Sequence, residues 1–163
     1  MIRRCWNRLS TKIPIEQAAY QAGRSTTKQV FAIKMLVEKA ITSSNYNIYL
    51  LLLDMSKAFD TVSRGKLLKD LQEILEPDEL HMMSLLIKDV NLRVKVGKEK
   101  GENIKTEIGI AQGDCLSAVL FIFYLARSMD TENAATDLSR ENSYFEISPQ
   151  YADDITWAST AKH

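Results

Sequence analysis

The chain has 163 residues, 45% of them apolar, and its 21 Lys and Arg balance 21 Asp and Glu for a formal net charge of zero. That length supports one hydrophobic core of ordinary size, and the charge balance argues against a protein that grips polyanions by bulk positive charge. Cys5 and Cys115 are too few for a disulfide framework, and His81 and His163 too few for a His/Cys zinc cluster.

The charge is distributed less evenly than its sum. Residues 1–40 carry eight Lys and Arg against Glu16 and Glu38, and residues 126–154 carry seven acids against Arg127 and Arg140. A basic end suits a phosphate backbone and an acidic end suits cations. The basic start MIRRCWNRLS has no apolar block behind it. The longest apolar stretch, Cys115 to Ala126, is too short to span a bilayer and reads as a core helix, with Cys115 packed as a small hydrophobe. No export or membrane signal is visible, so the expected setting is intracellular and reducing.

In chain order, Arg3 to Pro14 reads as basic and irregular, with Pro14 ending any early helix. The Gly23–Thr27 cluster reads as a loop whose Ser/Thr residues cap a helix running to about Thr42, with Val30, Phe31, Lys34, Leu36, Val37, Ala40 and Ile41 forming a mostly apolar face. The run Ile48 to Leu53 ends on Asp54 and predicts a strand buried on both faces. Leu67, Leu68, Leu71, Ile74 and Leu75 then recur at helical spacing, and Pro77-Asp78-Glu79 opens another helix to about Asp89. Alternation through Leu92, Val94 and Val96, and again through Ile104, Thr106 and Ile108, predicts a hairpin with one buried face and a turn at Gly97–Gly101. Gly109–Asp114 reads as a loop, Leu116–Met129 as the most apolar helix, and Thr131–Ser143 as a polar extension. Tyr144–Gln150 reads as a strand weakened by Pro149, Tyr151–Asp154 as a turn and Ile155–Ala158 as the return strand. A mixed α/β fold follows.

Three stretches carry chemistry. Asp54 stands at the mouth of an apolar strand. Asp153 and Asp154 are adjacent in a turn, where their like charges repel unless a cation intervenes, although Asp also suits turns for its own hydrogen bonds. If the strand ending at Asp54 lies beside that turn, three carboxylates meet at one sheet edge, an oxygen-only donor set suited to Mg²⁺. In Gly109-Ile110-Ala111-Gln112-Gly113-Asp114, the glycines permit close backbone approach to a ligand and Gln112 offers an amide donor and acceptor.

Together these stretches resemble the reverse transcriptases of non-LTR (LINE-type) retrotransposons, in the family's order: LLLDMSKAFDTV, GIAQGDCLSAVLF and YADD, preceded by EQAAYQAGRSTTKQV. The resemblance runs from about Arg4 to Trp157. It implies a polymerase palm, an antiparallel sheet packed on helices, with residues 1–46 as a fingers and palm-entry segment and 47–163 as palm. It implies that Asp54, Asp153 and Asp154 are catalytic ligands of two Mg²⁺ ions, or of Mn²⁺ in their place. The reaction implied is attack of a DNA primer 3′-hydroxyl on a deoxynucleoside triphosphate, directed by an RNA template. Phe59 matches the aromatic residue that rejects a ribose 2′-hydroxyl, and Gln112 and Gly113 match a nucleotide-contacting loop. Tyr151 falls near primer or template, and Arg24 near the template backbone. The implied location is the nucleus or a cytoplasmic ribonucleoprotein.

The chain departs from the family pattern at Ala19-Tyr20, where Gly-Phe is usual, and at Ala118, where Pro is common. The stretch corresponds mainly to palm, so a truncated element that folds and binds nucleic acid without catalysis is the alternative. An RNA-directed RNA polymerase shares the aspartate pattern but conflicts with Phe59.

Overall fold

The computed structural model describes residues 2–43, 46–133 and 145–162. It comprises α1 (Ile2–Leu9), a 3-10 turn (Ser10–Lys12), α2 (Thr26–Ser43), β1 (Tyr46–Leu53), α3 (Arg64–Gln72), α4 (Pro77–Ile87), β2 (Asn91–Val96), β3 (Glu99–Lys105), α5 (Cys115–Asn133), β4 (Phe145–Ile147), β5 (Gln150–Tyr151) and β6 (Asp154–Lys162). Two compact units form, each from separated stretches: residues 1–12 with 57–124, and residues 13–56 with 125–163. No helix among the described residues is long and apolar enough to cross a membrane.

In the first unit the basic N-terminus is helical, not irregular. Its arginines at i and i+4 converge on one acid. Arg4 Nε and Arg8 Nη1 lie 2.9 and 3.0 Å from the buried Glu79 carboxylate, while Cys5 and Leu9, at the same spacing, are buried in the core. Glu79 also closes a capping box with Glu76 behind Pro77, so one side chain starts α4 and fastens α1 to it. Ser63 caps α3 by accepting from the Lys66 amide, and Leu67 and Leu71 on that helix are fully buried. Asp114 caps α5, its carboxylate accepting from the Leu116 amide at 3.3 Å.

Two further expectations fail in this unit. The β2–β3 hairpin turns at Gly97-Lys98, with Val96 opposite Glu99, and every residue of both strands is exposed. The register shifts between Arg93 and Lys95, which interrupts the alternation that would keep one face apolar, and Thr106 and Ile108 fall beyond β3. Cys115 is exposed, because it occupies the first turn of α5, ahead of the buried run that begins at Leu116.

The second unit holds an antiparallel sheet in the order β1–β6–β4, with β5 pairing to β6 as well. β6 is its central strand and buries Ile155, Ala158 and Thr160. The prediction of a doubly buried β1 is overturned. β1 is an edge strand, and Leu50, Leu51, Leu52 and Leu53 are 43%, 53%, 73% and 37% exposed. An apolar run states what a strand would gain by burial, but only layers on both faces supply it. The face of α2 is also rotated from expectation. Leu36 and Ala40 are buried and Ala32, Ile33 and Val37 half-buried, whereas Val30, Phe31 and Ile41 are exposed. The polar stretch after Asn133 and Tyr144 lie outside the described residues as far as residue 144. β6 continues to Lys162, past the expected end at Ala158.

Candidate functional site

In the second unit, β1 and β6 pair antiparallel with Leu53 opposite Ile155. One step further along that register, Asp54 leaves β1 alongside Asp154, the first residue of β6. On the other flank of β6, Tyr151 pairs with Asp154, so Ala152 and Asp153 form a two-residue hairpin loop. Asp54, Asp153 and Asp154 thereby share one end of the sheet. Asp54 and Asp154 are exposed and Asp153 half-buried.

None of the three forms an ion pair with a Lys or Arg of the described residues. Three uncompensated carboxylates are a hard, oxygen-only donor set, which fits Mg²⁺ or Mn²⁺ and not a thiolate- or imidazole-seeking ion. The side chains do not draw together into a three-ligand group: none occurs among the described residues. The sheet register thus brings the three positions to one end, and the ligand sphere itself is not closed.

The loop between β5 and β6 is unusual in carrying Ala152 at φ 55°, a left-handed value that hairpin loops normally give to Gly or Asn. Gln17 supports it. Gln17 is 1% exposed; its Nε2 donates to the Ala152 carbonyl at 3.1 Å and its Oε1 accepts from the Ala152 amide at 2.9 Å and the Ala19 amide at 3.1 Å. Arg24 lies close by, half-buried, and its guanidinium donates to the carbonyls of Ile15 and Gln17. Within the chain this arginine braces the segment that carries Gln17. Tyr151 is 37% exposed beside the loop.

In the first unit, Phe59 and the Gly109–Asp114 loop are joined through the backbone. The Ile110 amide donates to the Phe59 carbonyl at 3.0 Å and the Gly109 amide to the Val62 carbonyl at 2.9 Å. Gly109 has φ 80°, and a Cβ there would come within 2.8 Å of the Asp60 carbonyl oxygen, so glycine is required. Gly113 also has a positive φ, 89°, but faces open space, and Gln112 is exposed. The half-buried Phe59 ring stacks on Phe121 of α5 with centroids 4.4 Å apart and planes at 19°.

Arg64 anchors the same loop from below. It is 6% exposed and donates to the carbonyls of Gly109 at 2.6 Å, Thr106 at 2.5 Å, Ile108 at 3.1 Å and Lys88 at 3.3 Å, and to Thr106 Oγ1 at 2.7 Å. All five acceptors are neutral oxygens. A guanidinium's planar fork suits such a task, because its donors diverge in fixed directions.

Sequence reasoning gave neither Gln17 nor Arg64 a role. Arg64 left a trace, since it shares the helical phase of Leu67 and Leu71 and therefore falls on the buried face of α3. Gln17 left less, because a polar residue in an irregular segment reads as exposed. A groove of about 580 Å³ lined by Lys69, Gln72, His81 and Lys88 contains none of the expected site residues.

The fold is that of telomerases of known structure. Apo telomerase from Candida tropicalis, truncated from its C-terminal domain, aligns over 97% of this chain at a TM-score of 0.68 and 14% identity. Telomerase from Candida albicans, in complex with a fragment of telomeric RNA, aligns over 96% at 0.71 and 15% identity. This chain spans 34% and 29% of those two chains. No curated protein matches it. Residues 1–163 match the family model for reverse transcriptase (RNA-dependent DNA polymerase), and the chain belongs to that family.

Proposed function

We propose that this chain is the catalytic palm portion of an RNA-directed DNA polymerase of the non-LTR retrotransposon type. Residues 1–46 belong to the fingers and palm entry and residues 47–163 to the palm. The observation that carries this reading is the β1–β6 register, in which Asp54 and the Asp153-Asp154 pair emerge at the same end of one sheet, in a chain that the reverse transcriptase family matches from end to end.

Asp54, Asp153 and Asp154 would hold two Mg²⁺ ions, which, when bound, supply positive charge against the charge developing in phosphoryl transfer. The remaining tasks fall to the chain's own residues. Phe59, held by its stack on Phe121 and by the Ile110 amide, is the residue assigned to reject a ribose 2′-hydroxyl, as its place in the motif suggests. Gln112 and Gly113 present an amide and an open backbone to a nucleotide. Tyr151 contacts primer or template, and the partners are an RNA template, a DNA primer and deoxynucleoside triphosphates. The motif order, from EQAAYQAGRSTTKQV to YADD, supports the non-LTR assignment.

The test is extension of a DNA primer on an RNA template with Mg²⁺. Deoxynucleotide incorporation that disappears in Asp153→Asn supports the reading; incorporation at the wild-type rate in that variant contradicts it. RNA binding without incorporation, unchanged by Asp153→Asn, favours the alternative of a folded but non-catalytic element.

A further inference from the structure

We propose that Gln17 is the positioning residue for the Asp153–Asp154 pair, fixing the backbone from which both carboxylates project; the inference rests on the reading of these aspartates as a cation site. Three observations converge on it. The Gln17 amide closes both backbone polar groups of Ala152, accepting from its N–H at 2.9 Å and donating to its C=O at 3.1 Å, across 135 residues of sequence. Those two groups belong to the peptide planes on either side of the Ala152 Cα. Holding both fixes the φ and ψ of Ala152, and with them the direction in which Asp153 leaves the chain.

The second observation is that Ala152 needs such a hold. Its φ of 55° is costly for a residue with a Cβ, and at 6% exposure it has little water to satisfy its amide and carbonyl. A strained residue keeps its conformation only where the surroundings over-determine it.

The third is that Gln17 is itself immobilised. The Ala18 amide donates to the Gln150 carbonyl at 2.9 Å and the Gln150 amide to the Glu16 carbonyl at 3.0 Å, a bridge that brackets Gln17. Gln21 Nε2 donates to the Gln17 carbonyl at 2.6 Å, Gln29 Nε2 to the Glu16 carbonyl at 2.8 Å, and Arg24 to the carbonyls of Ile15 and Gln17. The side chain is thus presented from a fixed backbone and acts as a surrogate strand partner for the loop. Asp54 is placed separately, by the β1–β6 ladder. Gln17 therefore governs two of the three carboxylates and not the third.

The test uses Gln17→Met, which keeps the volume and removes all three hydrogen bonds. Two measurements are made on the full 163-residue chain. Hydrogen exchange reads the Ala152 amide directly and needs no metal. Its protection is expected to fall at least about tenfold in Gln17→Met while the β6 amides keep theirs. Mn²⁺ titration followed by electron paramagnetic resonance reads the consequence. The dissociation constant is expected to rise about tenfold at unchanged stoichiometry, the usual range for losing a group that orients a metal ligand. Irreversibly misfolded protein would instead lower the stoichiometry at an unchanged constant, and a reversible unfolding equilibrium would deprotect the β6 amides together with Ala152; either would mark Gln17 as merely structural.

Wild-type protection of Ala152 in Gln17→Met, or a wild-type Mn²⁺ constant, overturns the proposal. Asp153→Asn separates the two levels. If it abolishes Mn²⁺ binding while Gln17→Met leaves binding intact, the cation site stands and the role of Gln17 falls. If it leaves Mn²⁺ binding untouched, the cation reading falls and takes this inference with it. Should Gln17→Met fail to fold, the wild-type chain still decides: an Ala152 amide exchanging at the free-peptide rate overturns the clamp.

Discussion

Leu53 and Ile155 face each other across β1 and β6, and that pairing decides where Asp54 emerges relative to Asp154. A shift of one residue would turn the acid to the opposite face of the sheet. The hydrogen-bond ladder is therefore as much a part of the candidate site as the carboxylates.

The stack of Phe59 on Phe121 gives the ring proposed to select the sugar a second duty, because it also packs against the core helix. Phe59→Val is expected to lower stability by about 1–3 kcal/mol, the range for truncating a partly buried aromatic. In primer extension it should reduce the preference for deoxynucleotides over ribonucleotides by about tenfold or more, since the obstruction is steric. Urea unfolding and the ratio of kcat/KM values check the two halves separately. Lost stability with an unchanged ratio would leave Phe59 as core only.

Arg64 serves five neutral oxygens, so its removal strands several buried acceptors at once. Arg64→Ala is expected to cost about 3–5 kcal/mol, taking about 1–3 kcal/mol for each buried group left unmet and allowing for partial rescue by water. Arg64→Lys should recover less than half of that, because a single ammonium cannot serve diverging carbonyls. Both values come from chemical denaturation curves with unchanged slopes.

Gly109 and Gly97 make a controlled pair. Both have positive φ, 80° and 61°, but only at Gly109 would a Cβ strike backbone, the Asp60 carbonyl oxygen at 2.8 Å. Gly97→Ala is expected to cost about 1–2 kcal/mol from conformation alone. Gly109→Ala should cost at least about 1 kcal/mol more, since Asp60 has to move as well. Equal costs would show that the Phe59–Val62 backbone yields freely.

The two cysteines differ in environment. Burial, reinforced by the negative charge of Glu79, pushes the Cys5 thiol above its ordinary range, while Cys115 is exposed. A thiol reagent at pH 8 should modify Cys115 rapidly and Cys5 only on unfolding. A raised folded-state value also means that the stabilising contribution is complete below the unfolded thiol's titration. It is lost as pH rises through the folded value. Stability should therefore fall more steeply above about pH 9 in the wild type than in Cys5→Ala, which urea midpoints taken across that range will read.

Much of this was legible in the sequence wherever one local rule decides the outcome. Ser25 and Ser63 begin helices, Pro77 and Glu79 begin α4, and the apolar run after Asp114 forms α5. What escaped depends on partners distant in sequence. The helical N-terminus needs Glu79, the exposure of the β1 leucines depends on which layers cover the faces of the sheet, and the rotated face of α2 follows from what packs against it. At the site, Asp54, Asp153 and Asp154 announce themselves by charge and motif. Gln17 and Arg64 do not, because their importance lies in which backbone groups they reach.

The most direct measurement is Mn²⁺ binding to the chain and to its Asp54→Asn, Asp153→Asn double variant. Unpaired carboxylates at one sheet end repel each other, so the double variant should be at least as stable as the wild type. Its Mn²⁺ affinity should nevertheless fall by at least about a hundredfold, one order or more for each charged ligand removed. Wild-type Mn²⁺ affinity in a folded double variant would contradict the account, because these aspartates would then not form the cation site.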